Sequence, residues 1–196
     1  QLAQKAGWVI AIELDDNLAA ILKQRLSSYS NVTIINADVL KTDPAALLEE
    51  QKTKLPPGIN STSYKVVANL PYYITSPTLR HLLEASAKPK IMVVMVQKEV
   101  AEQITAKPGR LSLMGISIQL YGNPTLVTKV PASSFYPAPK VDSAVLRIEI
   151  YPQPAVDVGD REGFFRVVRA GFRHARKQLH NSLERGLLLP KEDVLA

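Results

Sequence analysis

The chain has 196 residues, 46% of them hydrophobic, which excludes wholesale disorder, and no apolar run approaches the roughly 18 residues of a transmembrane helix. Cysteine is absent, which excludes disulfide frameworks and cysteine-based zinc sites, and three scattered histidines argue against a metal site. The 24 Lys and Arg residues outnumber the 18 Asp and Glu residues, and this formal charge of +6 favours a polyanionic partner.

Up to about residue 121 the sequence alternates predicted strands and helices, which indicates a parallel α/β sheet. Residues 8–14 (WVIAIEL) are a short apolar run and are predicted to form a buried parallel strand. Asp15 or Asp16 is a candidate cap for the helix that follows. The other predicted elements are strands over residues 32–35, 64–68 and 90–96, and helices over 44–51, from 76, over 98–105 and over 111–121.

The pattern changes beyond residue 121. Two strands, over 125–130 and 143–150, have no helix between them and predict an antiparallel hairpin at the edge of the sheet. Residues 151–157 contain two prolines and are predicted to be a linker, and everything from Arg161 onward is helical and basic in pattern. We therefore predict two domains, over residues 1–151 and 157–196.

Each predicted parallel strand is followed by a polar residue, and these residues are Glu13, Asp38, Asn69 and Gln97. In an open α/β sheet, ligands bind beyond the carboxyl ends of the strands. Glu13 could accept hydrogen bonds from both hydroxyls of a ribose, and Asp38 could accept one from an adenine amino group. Each acid is equally compatible with a helix cap or a turn, because those positions favour the same residue types.

The segment Asn69-Leu70-Pro71-Tyr72 is more informative, because a strand that runs into a proline and then two aromatic residues is uncommon. Pro71 lacks an N–H and holds Leu70 in an extended conformation, which fixes the carbonyls before it. The Asn69 side chain adds an acceptor, and Tyr72 adds a flat ring. These features predict a pocket for a flat heterocycle with an exocyclic amino group; the alternative is a turn with two core aromatics.

These motifs lie in a chain that resembles the small-subunit ribosomal RNA adenine N6,N6-dimethyltransferases of the KsgA type. VIAIELD and NADVL resemble the family's cofactor motifs, and VVANLPYYITSP resembles its catalytic motif. Three later blocks follow in family order: VQKEVAEQITAKPG, SSFYPAPKVDSAVL and FRHARKQLHNSL. The resemblance covers essentially the whole chain, and it implies a Rossmann-like class I methyltransferase sheet with a small C-terminal helical domain.

The resemblance implies S-adenosylmethionine as the cofactor. Glu13, with Leu14 beside it, would hold the ribose hydroxyls. Asp38 would hold the cofactor adenine, and Val39 would supply a backbone N–H. Asn69 would border the cofactor as well as the substrate.

The target adenine is implied to bind at the catalytic motif. Asn69 and the Leu70 carbonyl would hold the N6 amino group, with Pro71 fixing the backbone. Tyr72 would stack on the base, and Phe135 would form a second aromatic wall. The alternative for Phe135 is a core residue that anchors its Pro-rich loop.

The sequence departs from the family pattern in two places. The family carries a Gly-rich turn after an earlier strand, and no glycine cluster occurs here. We therefore expect that strand and turn to lie outside these 196 residues, the sheet to lack a central strand, and a structure of these residues to hold no cofactor. Lys107-Pro108-Gly109 passes directly into Arg110, where the family usually has a few more residues, so a missing loop is expected there.

The C-terminal segment carries cations at helical spacing, namely Arg166, Arg169, Arg173 and Arg176, with Lys177 beside them. Its predicted apolar face consists of Phe165, Val168, Phe172 and Leu179. The cations are predicted to contact ribosomal RNA phosphates, which positions the RNA without reading its sequence. The alternative is a solvated helix face, and Gly171 is a candidate break in the helix.

Three functions stay open at this point. The resemblance favours dimethylation of two adjacent adenines near the 3′ end of small-subunit ribosomal RNA, during maturation of the subunit. We expect this enzyme to be a cytoplasmic monomer that binds neither a membrane nor a metal ion. A large-subunit methylase of the antibiotic-resistance type has a similar tetrad, but FYPAPKVDS and FRHARKQL fit the small-subunit group better. A non-catalytic RNA-binding or transcription factor on the same scaffold is the third, and the intact NLPY motif counts against it.

Overall fold

The computed structural model describes residues 1–59, 63–174 and 177–195. Contacts divide the chain into two compact units, Gln1–Val94 and Met95–Ala196. The separate basic helical domain from residue 157 stays a prediction.

The first unit alternates strands and helices as the sequence predicts. Its elements are β1 (Val9–Glu13), α1 (Asp16–Arg25), β2 (Val32–Asn36), α2 (Pro44–Gln51), β3 (Lys65–Asn69), α3 (Thr75–Glu84) and the first part of β4 (Ile91–Gln97). β1 and β2 pair in parallel, in a register that sets Glu13 opposite Asn36. Asp15 caps α1, because its side chain accepts a hydrogen bond from the Leu18 N–H at 2.9 Å.

β1 is parallel as predicted, but the prediction that it is buried is wrong. All five of its residues are half-buried, because β1 and β2 form a sheet of two strands that is hydrogen-bonded separately from the four-stranded sheet. An apolar sequence shows that a strand is suited to burial, but a neighbouring strand or helix must still cover it. In β3, Lys65, Val67 and Asn69 are exposed in alternation, so the face of β3 that ends in Asn69 is open.

α3 and β4 form the best-packed part of the first unit. Leu79 and Leu83 of α3 are fully buried, as are Met92 and Val94 of β4. Burying a side chain of this size stabilises a fold by about 1.5–3 kcal/mol. This packing makes α3 a firm support for the segment that leads into it.

The second unit continues from β4 into a mixture of helices and a hairpin. Its elements are α4 (Lys98–Ile104), α5 (Leu113–Gln119), β5 (Gly122–Val130), β6 (Ser143–Ile150), α6 (Arg161–Phe172), α7 (Leu179–Leu187) and α8 (Lys191–Leu195). β5 and β6 pair antiparallel, with an irregularity between Leu126 and Thr128. The strand order β3-β4-β6-β5 leaves β5 at the edge. The predicted hairpin at the sheet edge is therefore confirmed.

Residues 107–110 form a closed turn between α4 and α5. The Arg110 N–H donates to the Lys107 carbonyl at 3.0 Å, and Gly109 has a φ of +91°. A proline followed by a residue of positive φ is the pattern of a type II turn. The expectation of a few further residues between Gly109 and Arg110 stays a prediction.

Candidate functional site

The carboxyl ends of β1 and β2 bring Glu13 and the segment before Asp38 to the same edge of their sheet. Glu13 lies opposite Asn36, and the Asn36 amide donates to the Glu13 and Leu14 carbonyls at 3.0 and 3.2 Å. The Glu13 Oε1 accepts a hydrogen bond from the Asp15 N–H at 2.9 Å. A carboxylate has a second oxygen, so Glu13 orders the entry to α1 and can still accept from a ligand.

Asp38 organises a tight turn after β2. Its Oδ1 accepts from the Leu40 N–H at 2.9 Å, and its carbonyl accepts from the Lys41 N–H at 3.0 Å. The Thr42 hydroxyl donates to the same carbonyl at 2.8 Å. The turn-forming role that sequence left open is therefore present, and it sets the direction of the carboxylate and of the Val39 backbone.

The NLPY segment leaves β3 and enters α3 through a 3-10 turn over Tyr72–Ile74. Leu70 is buried, which anchors the segment, whereas Asn69 ends the open face of β3. The Pro71 carbonyl accepts from the Ile74 N–H at 3.1 Å and from the Thr75 hydroxyl at 3.3 Å. The backbone around the proline is thus tied to the start of α3.

The two aromatic residues after Pro71 differ in their surroundings. Tyr72 is half-buried and has a partner within the chain, while Tyr73 is 82% exposed. A half-buried ring keeps one part supported and another part available, as a stacking platform requires. The role of Tyr72 as the ring beside the target base stays a prediction.

Phe135 lies in the second unit, at the end of a short 3-10 turn over Ala132–Ser134. Its N–H donates to the Ala132 carbonyl at 3.2 Å, and Asp142 accepts from the Ala132 N–H at 3.0 Å. The ring is half-buried, which suits either an aromatic wall or an anchor of the loop. Its role as a wall of the site stays a prediction.

The cationic segment is shorter as a helix than its spacing predicts. Arg166 and Arg169 are exposed on α6 and Arg173 caps it, while Lys177 lies in the connection to α7. Arg176 lies outside the described residues. The helix ends because the chain turns at His174, whose carbonyl accepts from the Lys177 N–H at 2.8 Å and from the Ser182 hydroxyl at 3.3 Å.

The predicted apolar face of this segment is only partly correct. Phe165 is buried, but Phe172 and Leu179 are 39% and 64% exposed, because the turn after α6 puts Leu179 on a different helix. α6 ends at Phe172, one residue after Gly171, which the sequence offered as a candidate break in the helix. The residue spacing located the cations but not the end of the helix.

One residue near the Asp38 turn was missed by sequence reasoning. The His81 Nε2 lies 2.8 Å from the Thr42 carbonyl, a contact across 39 residues. No local pattern signals a pair this far apart. In the described ranges, no group of three or more His, Asp or Glu side chains could hold a metal ion, and no helix there is long and apolar enough to cross a membrane.

Comparison with known proteins decides the family. Residues 1–194 match the family described as ribosomal RNA adenine dimethylase. The chain belongs to this family. The predicted family is confirmed, and the roles of the site residues stay predictions.

Individual members are similar over the whole chain. It is 49% identical to ribosomal RNA small subunit methyltransferase A of Dehalococcoides mccartyi, over 100% of this chain and 64% of that protein. It is 45% identical to the protein of the same description from Bacillus mycoides, over 100% of this chain and 66% of that protein. The chain therefore spans just under two thirds of the length of these relatives.

Solved structures agree on the fold. The 23S rRNA methyltransferase ErmE matches with a TM-score of 0.71 and 29% identity, over 94% of this chain and 69% of that one. A dimethyladenosine transferase from Plasmodium falciparum matches with a TM-score of 0.75 and 28% identity, over 95% of this chain and 63% of that one. The predicted Rossmann-like methyltransferase fold is confirmed.

Proposed function

We propose that this protein transfers methyl groups from S-adenosylmethionine to the N6 amino groups of two adjacent adenines near the 3′ end of small-subunit ribosomal RNA. The observation that carries the proposal is the position of the NLPY segment at the end of β3. Its Leu70 is buried, and its Pro71 carbonyl accepts a hydrogen bond from the Thr75 hydroxyl. Membership of the adenine dimethylase family supports the reaction. The similarity to proteins described as small subunit methyltransferase A supports the substrate.

The residues at the ends of β1 and β2 fit the nucleoside part of S-adenosylmethionine. Two carboxylates, Glu13 and Asp38, stand at neighbouring strand ends, and each retains an acceptor oxygen for a ligand. Ribose hydroxyls and the adenine amino group are donors, so the donor and acceptor types match. Leu14 would border the ribose, and Val39 would supply a backbone N–H to the adenine.

Methyl transfer requires the site residues to position the two reactants and to supply hydrogen-bond acceptors. S-adenosylmethionine supplies an electrophilic methyl group whose leaving group is a neutral thioether. The N6 lone pair of adenine is delocalised into the ring, so the amino nitrogen is a poor nucleophile. Asn69 and the Leu70 carbonyl would accept from the amino hydrogens, favour a pyramidal nitrogen and stabilise positive charge as it develops there.

The target base must leave its stack to reach this segment, at a cost of a few kcal/mol. Tyr72, and on this proposal Phe135, would replace the lost stacking with aromatic contact. Arg166, Arg169, Arg173 and Lys177 would hold the RNA backbone through its phosphates. Arg176 is proposed to join them on the strength of its sequence position. We expect a monomer that works in the cytoplasm on immature small subunits.

Labelled methyl transfer with the full-length protein tests this function. Immature small subunits, mature small subunits and large-subunit RNA serve as parallel substrates, and nuclease digestion with mass spectrometry identifies the product. We expect N6,N6-dimethyladenosine at two adjacent positions in immature small subunits only. Label in large-subunit RNA would support the antibiotic-resistance type of methylase, and absence of label everywhere would support a non-catalytic RNA-binding protein.

A further inference from the structure

His81 connects α3 to the turn that Asp38 organises. Its Nε2 lies 2.8 Å from the Thr42 carbonyl oxygen in a partly buried contact. A carbonyl only accepts hydrogen bonds, so Nε2 must carry a proton and donate. Removing the imidazole would leave a partly shielded carbonyl without this donor, which is unfavourable.

Thr42 transmits this contact to Asp38. Its hydroxyl donates to the Asp38 carbonyl at 2.8 Å, and the Lys41 N–H donates to the same oxygen. The Leu40 N–H holds the Asp38 carboxylate at 2.9 Å. The turn thus fixes both the backbone and the carboxylate of Asp38, and His81 holds the end of that turn from outside it.

The close packing of α3 fixes the position of His81. Thr78 and Leu82, which neighbour His81 on the helix, are buried, as are Leu79 and Leu83. The same helix begins at Thr75, whose hydroxyl bonds the Pro71 carbonyl of the NLPY segment. One well-packed helix therefore starts at the proposed target-base segment and ends in a contact with the proposed cofactor turn.

We propose that His81 is a positioning residue for cofactor binding: it keeps the Asp38 turn in the conformation that receives the adenosine part of S-adenosylmethionine. The proposal rests on the function proposed above. Without the His81 contact the turn samples other conformations, and the apparent dissociation constant rises in inverse proportion to the binding-competent fraction. His81 acts through the turn, so its loss is expected to affect cofactor binding and not the chemical step.

Titration calorimetry on the full-length protein tests the proposal with S-adenosylmethionine and with adenosine, which lacks the methionine part. We expect His81→Leu to weaken both by the same factor, roughly five- to thirtyfold, the effect of losing one partly buried hydrogen bond. His81→Gln retains an N–H donor at a similar reach and is expected to recover most of the affinity. Arg80→Leu, on the exposed side of α3, is the matched control and is expected to bind like the wild type.

Kinetics separate positioning from general damage to the fold. His81→Leu is expected to raise the KM for S-adenosylmethionine and to leave kcat at saturating cofactor and the affinity for RNA unchanged. In a double-mutant cycle, His81→Leu should cause no further loss of cofactor affinity when Asp38 is already alanine, because both changes act through one turn. Additive losses would overturn the proposal.

The outcomes distinguish this proposal from the proposed function. If the wild type does not bind S-adenosylmethionine, the proposed function fails, and the role of His81 fails with it. If the wild type binds and a folded His81→Leu variant binds equally well, only the role of His81 is overturned. If that variant does not fold, Thr42→Val removes the hydroxyl that holds the Asp38 carbonyl, and unchanged cofactor affinity in Thr42→Val overturns the proposal.

Discussion

At the scale of single residues, Glu13 has a role in the fold beside the role in cofactor binding that we propose for it. Its Oε1 accepts a hydrogen bond from the Asp15 N–H at the entry to α1, and Glu13 is the last residue of β1. A substitution must therefore separate the local bond from the interaction with the ligand. Glu13→Ala removes both acceptor oxygens and the charge. Glu13→Gln keeps one acceptor oxygen for the local bond and removes only the charge.

We expect Glu13→Ala to weaken S-adenosylmethionine binding by roughly tenfold or more, because hydrogen bonds to a charged acceptor are the stronger kind. RNA affinity should stay unchanged. Calorimetry on the full-length protein measures both, with Glu49→Ala, an exposed acid paired with Lys52, as the control. Equal cofactor affinity in a folded Glu13→Ala variant would remove Glu13 from the site.

Tyr64 contributes to stability in a way that depends on pH. Burial, together with the nearby Asp43 carboxylate, raises the pKa of Tyr64 from 10.0 to about 12, and its hydroxyl donates to the Ala87 carbonyl at 2.9 Å. The folded-state pKa lies above the unfolded value, so the neutral form is the stabilising one. Its contribution is complete below about pH 10 and is lost as the pH rises through about 12.

Tyr64→Phe removes this hydroxyl and should lower the free energy of unfolding by about 1 kcal/mol at pH 8. The difference between wild type and variant should shrink at pH 11, because the unfolded wild type then ionises while the folded protein resists ionisation. Urea unfolding of both proteins at pH 8 and pH 11 measures the difference in free energy of unfolding at each pH. The contributions of the other titrating groups cancel in that difference. A constant difference would show that Tyr64 is not shielded.

At the scale of elements, α6 and α7 approach each other at a glycine. A Cβ added to Gly186 would lie 2.5 Å from the Ala170 Cβ and 2.7 Å from the Ala170 Cα. One added to Gly171 would meet the ends of flexible side chains, Leu179 at 3.2 Å and Leu183 at 3.9 Å. The backbone of α6 cannot yield as a side chain can. Gly186 therefore sets the separation of the two helices.

Gly186→Ala should destabilise this helix pair by about 1–3 kcal/mol, the usual cost of overpacking. Gly171→Ala is the matched control, and it should be neutral or stabilising because alanine is the better helix former by about 1 kcal/mol. Urea unfolding, with hydrogen exchange of the α6 and α7 amides, measures both variants. Similar stability in the two variants would contradict the close packing.

The cations of α6 should reveal their binding to phosphates through salt. Replacing Arg166, Arg169 and Arg173 by Gln should weaken RNA binding and flatten its log–log salt dependence by about 0.7–0.9 for each phosphate that is no longer neutralised. Lys23, Arg25 and Lys52, exposed cations of the first unit, are the control set. An unchanged slope in the arginine variant would show that these cations lie on a solvated helix face that does not bind RNA.

Comparison of elements also shows what sequence could predict. The Asp15 cap and the strand end at Asn69 depend on neighbours within a few residues. The β5–β6 hairpin was predictable because two strand patterns follow each other with no helix pattern between them. The exposure of β1 and the His81–Thr42 contact depend on what packs against an element. Periodicity shows which side chains share a face of an element, but only the fold shows whether another element covers that face.

At the scale of the whole molecule, three separate features favour one function. The carboxylates after β1 and β2 suit a nucleoside, the NLPY segment after β3 suits an amino-bearing base, and the net charge of +6 suits RNA. Each feature alone has a structural explanation. Their occurrence in a member of the adenine dimethylase family supports the proposed methyl transfer to RNA, which accounts for all three.

The most direct test of this account compares wild type with Asn69→Ala in dimethylation of immature small subunits, counted as N6,N6-dimethyladenosine by mass spectrometry. Removing one preorganised acceptor of developing charge predicts a fall in rate of roughly two to three orders of magnitude, with S-adenosylmethionine affinity nearly unchanged. Tyr73→Ala, at the exposed ring beside the motif, is the matched control and should keep most of the activity. An Asn69→Ala enzyme that dimethylates at the wild-type rate would contradict the account.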